Sequence, residues 1–398
     1  MRALRVALTT NFSPWSPYSG GGQRSTHKIA CALSARGHDV TVIYTRAPGE
    51  RFPVPDDLPY AIRWANFFAR KSHRAAPLRP LNALTVATHA RRLHRESALD
   101  ALHGNGEEAV LAVRAMKRVG VRTIMTPRYP NYPAPLLAPD GPSVIDWARI
   151  GLLDSKYLLV GSAARHADIC APTSESAAAM LTSAFGVDEA KMHVVPNGID
   201  EVFFDRTWRP STEASAPIVF FGRLSPDKGI DVLLDAMASL NRKRQTPLRL
   251  RIIGRGPAET ALRRQAETLG LNDAVEWVPW MSADQLANSL VDASLAALPS
   301  RHESFGNAMA EAMAVGTPLV STRAGSIPEV VQDGETGLLV EAGAAAPLAD
   351  AIHRLVDDPA LASALSEAGR AHTRSRFSWT RVAAQFEALY RGGSITGS

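Results

Sequence analysis

Short apolar runs alternate with amphipathic stretches along most of the chain. Residues 4–8 and 40–44 are rich in aliphatic and β-branched side chains and predict two strands, and the spacing of apolar positions over residues 23–35 predicts a helix between them. A glycine triplet at residues 20–22 precedes this helix, and Gly37 follows it. Alternating strands and helices favour a parallel sheet with right-handed crossovers, and therefore an α/β fold.

The alternation comes in two series, separated by a polar, proline-containing stretch at residues 196–216. We therefore predict two doubly wound, Rossmann-like domains that face each other across a cleft, because parallel sheets bind ligands at the carboxyl ends of their strands. The predicted bounds are 1–196, with a C-terminal helix at 376–398 packing back on that domain, and 197–375. The other expected strands are residues 99–102, 123–125, 169–171 and 193–195 in the first series and residues 218–221, 250–253, 275–278, 295–298, 319–321 and 338–340 in the second.

Two segments depart from this pattern. Residues 48–85 are rich in proline and arginine and poorly periodic, so we expect an irregular insertion in the first domain. Residues 374–392 predict one last helix, whose aromatic side chains would pack against a domain.

Length and composition narrow the class of protein. A chain of 398 residues is long for one hydrophobic core, in agreement with two domains. The only cysteines are Cys31 and Cys170, so we expect no disulfide framework, no structural zinc site and a reducing, cytoplasmic location. We expect no spanning helix, because no run of about 18 apolar residues occurs. The first nine residues predict a strand rather than a signal peptide.

The net charge of +5 is unevenly distributed. Residues 1–170 contain 23 Lys or Arg against 12 Asp or Glu, whereas the remainder contains 21 against 27. Eight basic and no acidic residues lie between Arg63 and Arg95, interleaved with Trp64, Phe67 and Phe68. A solvated basic face is one interpretation, and attraction to anionic lipid headgroups or an acidic acceptor is the other. Nucleic-acid binding is not expected, because no recognition module accompanies the charge.

Residues 303–311 carry the first candidate chemistry. They follow the predicted strand 295–298, and Gly306 precedes an Ala/Met-rich stretch of high helix propensity. The backbone amides there would lie at a helix N-terminus, which binds anions. Glu303 before the helix and Glu311 inside it could accept hydrogen bonds from the hydroxyls of a ribose and a hexose on either side of a diphosphate. The alternative is that Glu303 caps the helix and Glu311 is an exposed helix residue.

Two glycine turns follow strands earlier in the second series. Arg223 and Lys228 lie on one loop after Gly222, and a guanidinium beside an ammonium suits the adjacent phosphates of a nucleotide diphosphate. A surface charge is the alternative for either residue alone. Gly254 begins a second turn of the same kind, although a lone Gly-x-Gly is a weak signal.

The first series has fewer candidates. Gly21 and Gly22 would let the backbone approach a ligand, and the dinucleotide-binding Gly-x-Gly-x-x-Gly pattern is incomplete, since Ser25 stands at its third glycine. His103 ends the predicted strand 99–102 and is expected to face the cleft, although a structural role is the alternative. No Asp-x-Asp pair for a metal diphosphate occurs, so a metal-free mechanism is expected.

Together these residues resemble glycosyltransferase family 4, retaining enzymes with two Rossmann-like domains known as the GT-B fold. The resemblance extends over nearly the whole chain and depends on the order and spacing of several motifs. They are Gly37-His38-Asp39-Val40, Val195-Pro196-Asn197-Gly198-Ile199-Asp200, Phe221-Gly222-Arg223-Leu224 with Lys228-Gly229, Pro299-Ser300 with residues 303–311, Gly316-Thr317-Pro318-Leu319-Val320 and residues 333–340.

The resemblance implies a role for each candidate residue. Arg223 and Lys228 would bind the donor diphosphate and stabilise the charge on the leaving group, and Glu311 would bind the ribose. Glu303 would hold the transferred sugar together with the backbone around Ser304, Phe305, Gly306 and Asn307, while Gly222 and Gly254 line the donor site. Gly21 and Gly22 would approach the donor phosphate. His103 matches a histidine near the reaction centre, and Asn105 and Arg128 stand where many members have further histidines, so both are assigned to the acceptor side.

The function implied is transfer of a sugar, with retention at the anomeric carbon, from a UDP- or GDP-linked donor to a glycan or lipid-linked acceptor, without cofactor or metal. The leaving phosphate would take the acceptor proton. Such enzymes act in cell-surface polysaccharide or glycolipid assembly, and the basic first domain would contact the inner face of an anionic membrane. The alternatives are a nucleotide-sugar epimerase or hydrolase on the same fold, and a non-catalytic sugar-nucleotide-binding subunit.

Overall fold

A computed structural model describes residues 2–17, 19–68, 78–128, 143, 156–210 and 216–393. The chain divides into two compact units. The first comprises Met1–Asn197 together with Trp379–Ser398, and the second comprises Gly198–Ser378.

The first unit is a parallel α/β sheet of six strands in the order β3-β2-β1-β4-β5-β6. Its elements up to residue 197 are β1 (Arg5–Thr10), α1 (Gly21–Ala35), β2 (Asp39–Arg46), β3 (Ala61–Asn66), α2 (Arg79–Glu96), β4 (Ala101–Gly104), α3 (Val110–Lys117), β5 (Arg122–Met125), α4 (Lys156–His166), β6 (Ile169–Cys170) and α5 (Glu175–Phe185).

The second unit repeats this plan, with six parallel strands in the order β12-β11-β10-β7-β8-β9. Its elements are α6 (Glu201–Phe204), β7 (Ile218–Phe221), α7 (Ile230–Asn241), β8 (Leu250–Ile253), α8 (Glu259–Thr268), β9 (Val275–Val278), α9 (Ala283–Val291), β10 (Leu295–Leu298), α10 (Asn307–Val315), β11 (Leu319–Thr322), α11 (Ile327–Val330), β12 (Leu338–Val340), α12 (Ala345–Asp357) and α13 (Pro359–Arg376). The last helix, α14 (Trp379–Tyr390), belongs to the first unit.

Side chains that alternate along the central strands fill a core on each face of the first sheet. On β1, Val6 and Leu8 pack into the cluster that contains Phe386 of α14, whereas Ala7 packs with Leu102 into the cluster on the other face. Successive side chains of a strand point to opposite faces, so a strand buried on both sides is apolar throughout. The α/β prediction is confirmed, with two doubly wound sheets in one chain.

The described part of residues 48–85 is more regular than predicted, and residues 69–77 lie outside the described residues. The described part contains β3, which pairs in parallel with β2 at the sheet edge, and the first turns of α2. The alternation of exposed Ala61 and Arg63 with half-buried Ile62 and Trp64 is the strand signal, and the flanking prolines obscured it in the sequence.

Two other predicted elements differ. The single helix expected over residues 374–392 is two helices, because α13 ends at Arg376 and α14 starts at Trp379. Phe377 between them is buried, and its carbonyl accepts a hydrogen bond from the Ile199 amide at 2.7 Å. Residues 193–195 form no strand; His193 and Val195 only donate single backbone hydrogen bonds to Cys170 and Pro172.

Candidate donor site

The strand order of the second unit reverses between β10 and β7, which lie side by side at the centre of the sheet. In open parallel sheets the ligand binds at the carboxyl ends of the strands, at this point of reversal. The loops after β7 and β10, residues 222–229 and 299–306, are the segments that contain most of the predicted donor residues.

The two loops touch at Gly229, which has a left-handed φ of 65° and starts α7. A Cβ atom at this position would lie 2.0 Å from the carbonyl oxygen of Pro299, so only glycine allows the two backbones to come this close. Lys228 precedes Gly229 at the end of a short 3₁₀ turn, Pro226–Lys228. The tight turn therefore fixes Lys228 beside the β10 loop.

Lys228 and Glu303 form an ion pair, with 2.6 Å between Nζ and Oε1. Their side chains are 17% and 15% exposed, so water screens the pair only in part. The same carboxylate oxygen accepts a hydrogen bond from the Ser300 hydroxyl at 2.9 Å, and Asp227 lies 3.7 Å from the ammonium. The structure thus brings together one predicted diphosphate ligand and one predicted sugar ligand.

The backbone of Glu303 is held as firmly as its side chain. Its carbonyl accepts hydrogen bonds from the amide and the hydroxyl of Ser326, at 3.2 and 3.1 Å. Gly325 has a φ of 55°, and a Cβ there would approach the Glu303 carbonyl oxygen to 2.4 Å. The turn after β11 therefore braces the β10 loop from its other side.

Gly306 has a left-handed φ of 98° and directly precedes α10. Phe305 before it is buried, with its ring edge-on to Phe377 at 5.3 Å between centroids, and this contact anchors the start of the helix. The first amides of an α-helix have no partner within the helix, so the turn that begins at Asn307 can accept an anion. Glu311 lies one turn further along and is half-buried, rather than fully exposed as the alternative required.

The Gly222 and Gly254 turns pack directly on each other. Gly254 has a φ of 153°, and a Cβ on it would lie 1.9 Å from the Gly222 carbonyl oxygen. Arg223 follows Gly222 and is exposed, and its guanidinium has no ion pair or hydrogen bond to any residue in the described ranges. The two glycine turns thus place Arg223 at the candidate site, where no described side chain binds its guanidinium.

Arg301 was missed by reasoning from the sequence. It binds both carboxylate oxygens of Asp231 at 2.7 and 2.6 Å and the Pro226 carbonyl at 2.7 Å, and its amide donates to Asp227 at 2.7 Å. It therefore connects the β10 loop to the turn that carries Lys228. Its place between a strand end and Glu303 was a signal, but Asp231 is 70 positions away in the sequence and could not be identified as its partner.

His103 does not face an open site, contrary to expectation. Its ring is fully buried in the first unit, with Nδ1 2.8 Å from the Tyr390 hydroxyl and Nε2 2.8 Å from the Thr126 hydroxyl. Burial, with a smaller contribution from the charge of Arg128, lowers the pKa of His103 to about 3. The residue lies within β4 rather than after it, and so it points into the core beneath α14.

Gly21 and Gly22 lie in the first turn of α1 rather than in a loop before it. Gln23 supports the early start, because its side-chain oxygen accepts a hydrogen bond from the Gly20 amide at 2.9 Å, which is the half of a capping box that does not need a side chain at the N-cap. A Cβ on Gly22 would lie 3.5 Å from the Cβ of Arg128. The predicted phosphate-approaching glycines and the predicted acceptor-side arginine are therefore neighbours.

Asn105 is buried and connects three segments of the first unit. Its amide nitrogen donates to the Thr9 carbonyl at 3.1 Å, and its oxygen accepts from Nε of Arg128 at 3.0 Å. Arg128 also donates through one terminal nitrogen to Asn197. The neighbouring Tyr129 lies outside the described residues.

Two family models match the chain. Residues 19–203 match the model described as Glycosyltransferase Family 4, and residues 206–372 match the model described as Glycosyl transferases group 1. A D-inositol 3-phosphate glycosyltransferase of Arthrobacter sp. is 35% identical over 217 residues, which cover 52% of this chain and 51% of the relative. The chain thus spans about half the length of the curated relatives it matches first.

Two solved structures share the fold over nearly the full chain. Sucrose-phosphate synthase from Thermosynechococcus elongatus aligns with a TM-score of 0.76 and 22% identity, covering 98% of both chains. Anabaena HepE in complex with UDP-glucose aligns with a TM-score of 0.72 and 20% identity, covering 98% of this chain and all of the other. Since the two family models lie side by side and account for both units and the donor-side loops, the chain belongs to glycosyltransferase family 4 and has the GT-B fold.

Proposed function

We propose that the protein transfers a sugar from a nucleotide-diphosphate sugar, UDP- or GDP-linked, to a glycan or lipid-linked acceptor, with retention and without a metal ion. The observation that carries this proposal is the Lys228–Glu303 pair at the reversal point of the second sheet, next to the start of α10. The Lys228 ammonium, which suits a diphosphate, donates a hydrogen bond of 2.6 Å to the Glu303 carboxylate, which suits sugar hydroxyls. Anabaena HepE, whose structure was solved in complex with UDP-glucose, supports the donor class.

The proposed roles follow the geometry. Arg223 and Lys228 would bind the diphosphate and stabilise the charge that develops as it leaves, and fixed cations do this without reorganisation. Glu303 and the first amides of α10 would hold the transferred sugar, and Glu311 would bind the ribose. The leaving phosphate would itself accept the proton of the acceptor hydroxyl, so this scheme requires no side-chain base. His103 would not transfer a proton, because it is fully buried, both of its ring nitrogens are engaged by the Tyr390 and Thr126 hydroxyls, and burial lowers its pKa and makes it a weak base.

A thermal-shift screen of UDP-, GDP- and ADP-sugars tests the donor proposal. A ligand at a hundred times its dissociation constant stabilises the fold by roughly 2.7 kcal/mol. We expect one nucleotide series to raise the melting temperature, and Lys228→Gln to abolish the shift while the surface control Lys243→Gln keeps it. An unchanged melting temperature with every sugar nucleotide would overturn the proposal.

Product analysis separates the alternatives. A transferase consumes donor rapidly only when an acceptor is present, whereas an epimerase alters the donor sugar and a hydrolase releases it without an acceptor. A non-catalytic subunit would bind the donor and turn nothing over. Retention is read from the anomeric configuration of the product by NMR.

We further propose that the first unit associates peripherally with an anionic membrane, as an enzyme of cell-surface polysaccharide or glycolipid assembly would on its inner face. None of the described helices is long and apolar enough to span a bilayer. The surface of α2 supports the proposal, because Leu81 and Leu84 are 45% and 49% exposed near its start, and Arg91 and Arg95 are exposed near its end. Exposed leucines beside arginines suit the boundary between headgroups and acyl chains.

The basic stretch is less uniform than the sequence indicated. Arg79 pairs with buried Glu107 at 2.8 Å, and Arg63 pairs with Glu96 at 3.0 Å, so neither has an unpaired charge. We expect co-sedimentation with phosphatidylglycerol vesicles that is lost in high salt. The Leu81→Ser, Leu84→Ser double variant should weaken it. Binding that is absent, or that both salt and the double variant leave unchanged, would contradict the membrane proposal.

A further inference from the structure

Arg128 is held in a fixed orientation by neutral groups alone. Its Nε donates to the side-chain oxygen of Asn105 at 3.0 Å, and one terminal nitrogen donates to the side-chain oxygen of Asn197. Asn105 is itself fixed by its hydrogen bond to the Thr9 carbonyl, and both asparagines are buried. The guanidinium plane is therefore set by two amides from distant parts of the chain.

The second terminal nitrogen of Arg128, Nη2, is buried and has no hydrogen-bond acceptor among the described residues. Nor does any carboxylate in those ranges lie within ion-pair distance of this guanidinium. The two acidic residues nearest to Asn105 in the sequence are engaged elsewhere, since Glu107 pairs with Arg79 and Glu108 accepts from the Thr9 hydroxyl. Burial lowers the pKa of Arg128 to about 10, so the side chain stays charged at neutral pH.

A buried charge without a counterion destabilises a fold and is expected where a ligand supplies the missing partner. Arg128 is half-buried as a residue, but its buried Nη2 meets this description within the described ranges, at the carboxyl edge of the first sheet, after β5, where ligands of such sheets bind. A Cβ added at Gly22 would lie 3.5 Å from the Cβ and 3.8 Å from the Cδ of Arg128, so the first turn of α1 packs closely on the stem of this side chain.

We propose that Arg128 binds an oxyanion, phosphate or carboxylate, on the acceptor, and that the enzyme therefore selects anionic acceptors over neutral ones. This rests on the proposed transferase function and names the class of acceptor. Asn105 and Asn197 act as positioning residues that aim Nη2 and the remaining N–H groups at the anion. Arginine suits this task because its planar fork pairs with an oxyanion through two parallel hydrogen bonds.

Matched acceptor pairs test the selectivity, with the donor identified by the thermal screen. The pairs are myo-inositol 3-phosphate with myo-inositol, glucose 6-phosphate with glucose, and glucuronate with glucose, and the second and third distinguish phosphate from carboxylate. We expect kcat/KM for the acceptor to be higher for the anionic member of a pair by roughly 10- to 100-fold, the factor that a charge-assisted hydrogen bond supplies. Arg128→Gln should remove this preference and leave the KM of the donor unchanged.

Equal use of neutral and anionic acceptors by the wild type would overturn the inference, as would a preference retained by Arg128→Gln. The inference would also be overturned if the enzyme preferred UDP-glucuronic acid to UDP-glucose and Arg128→Gln lost this preference, because the anion would then be on the donor. Transfer to no acceptor at all would instead count against the proposed function.

Two measurements decide the inference even without turnover. In titration calorimetry, inorganic phosphate should bind the wild type more tightly than Arg128→Gln, whereas the control Arg264→Gln, an exposed arginine on α8, should bind like the wild type. The melting temperature of Arg128→Gln without ligand should stay the same or rise, because the substitution removes an unneutralised charge. Unchanged phosphate affinity, or a melting temperature that falls by several degrees as for a structural arginine, would refute the assignment.

Discussion

Replacing Glu303 by glutamine is expected to change product binding and catalysis in opposite directions. Glutamine has the same shape and can still accept hydrogen bonds from Lys228 and Ser300, so the loop after β10 should keep its conformation. What disappears is the negative charge 2.6 Å from the Lys228 ammonium. A diphosphate that binds Lys228 no longer competes with a carboxylate.

The size of the effect follows from the geometry of the pair. Two unit charges at the 2.6 Å Lys228–Glu303 separation attract by about 6 kcal/mol at an effective dielectric constant of about 20. Desolvation offsets most of this in a partly buried pair, and a net term of about 1.4 kcal/mol corresponds to a tenfold change in affinity. We expect UDP, or GDP if that is the donor base, to bind Glu303→Gln about tenfold more tightly.

Transfer should fall at the same time. If Glu303 accepts hydrogen bonds from the transferred sugar, its loss should lower kcat by about a hundredfold, which is usual for one charged contact made to the reacting group. Titration calorimetry measures nucleotide affinity, and steady-state kinetics measure transfer. Glu276→Gln is the matched control, because that carboxylate pairs with Arg251 at 2.7 Å on β9, away from the donor loops.

Two results would refute the reasoning. Weaker or unchanged nucleotide binding by Glu303→Gln would show that the carboxylate does not compete for Lys228. Full transfer activity in the same variant would show that it does not hold the sugar.

Two further predictions concern the fold. Gly254→Ala should destabilise the second unit by more than about 3 kcal/mol, because the added methyl group meets the Gly222 carbonyl at 1.9 Å. Gly270→Ala, which has a φ of 71° but open space around it, should cost only about 1 kcal/mol in the same urea titration; equal costs would contradict the steric argument. Burial alone would raise the pKa of Glu387, but hydrogen bonds from Arg36 and Arg391 outweigh it and hold the pKa at about 2. The ionised Glu387 with its two arginines therefore stabilises the fold above about pH 4.5, and this contribution is lost as the pH falls from about 4.5 towards 2. Glu387→Gln should lower the stability at pH 7 and flatten its decline in acid, and parallel declines in both proteins would exclude this role.

Much of the architecture is determined by local sequence. The buried strands read as apolar runs because both faces of a parallel sheet are covered, and the six expected strands of the second series coincide with β7–β12 to within one residue. Glycines after strands mark the turns of the candidate donor site, since only glycine permits contacts such as that of Gly229 with Pro299. These features depend on residues that are close in the sequence, so they can be predicted from the sequence alone.

Only the tertiary structure determined which side chains form ion pairs and hydrogen bonds with each other. The ion pair of Lys228 with Glu303 joins residues 75 positions apart, and the hydrogen bond of Arg128 with Asn197 joins residues 69 apart. His103 has the same sequence neighbours whether it ends a strand at a cleft or lies inside one, and only the packing of α14 places Tyr390 over its ring. The charge and burial of a side chain depend on what the fold brings near it. That is why the sequence could only propose candidate residues, while the structure determined which of them are engaged, which are buried and which lack a counterion among the described residues.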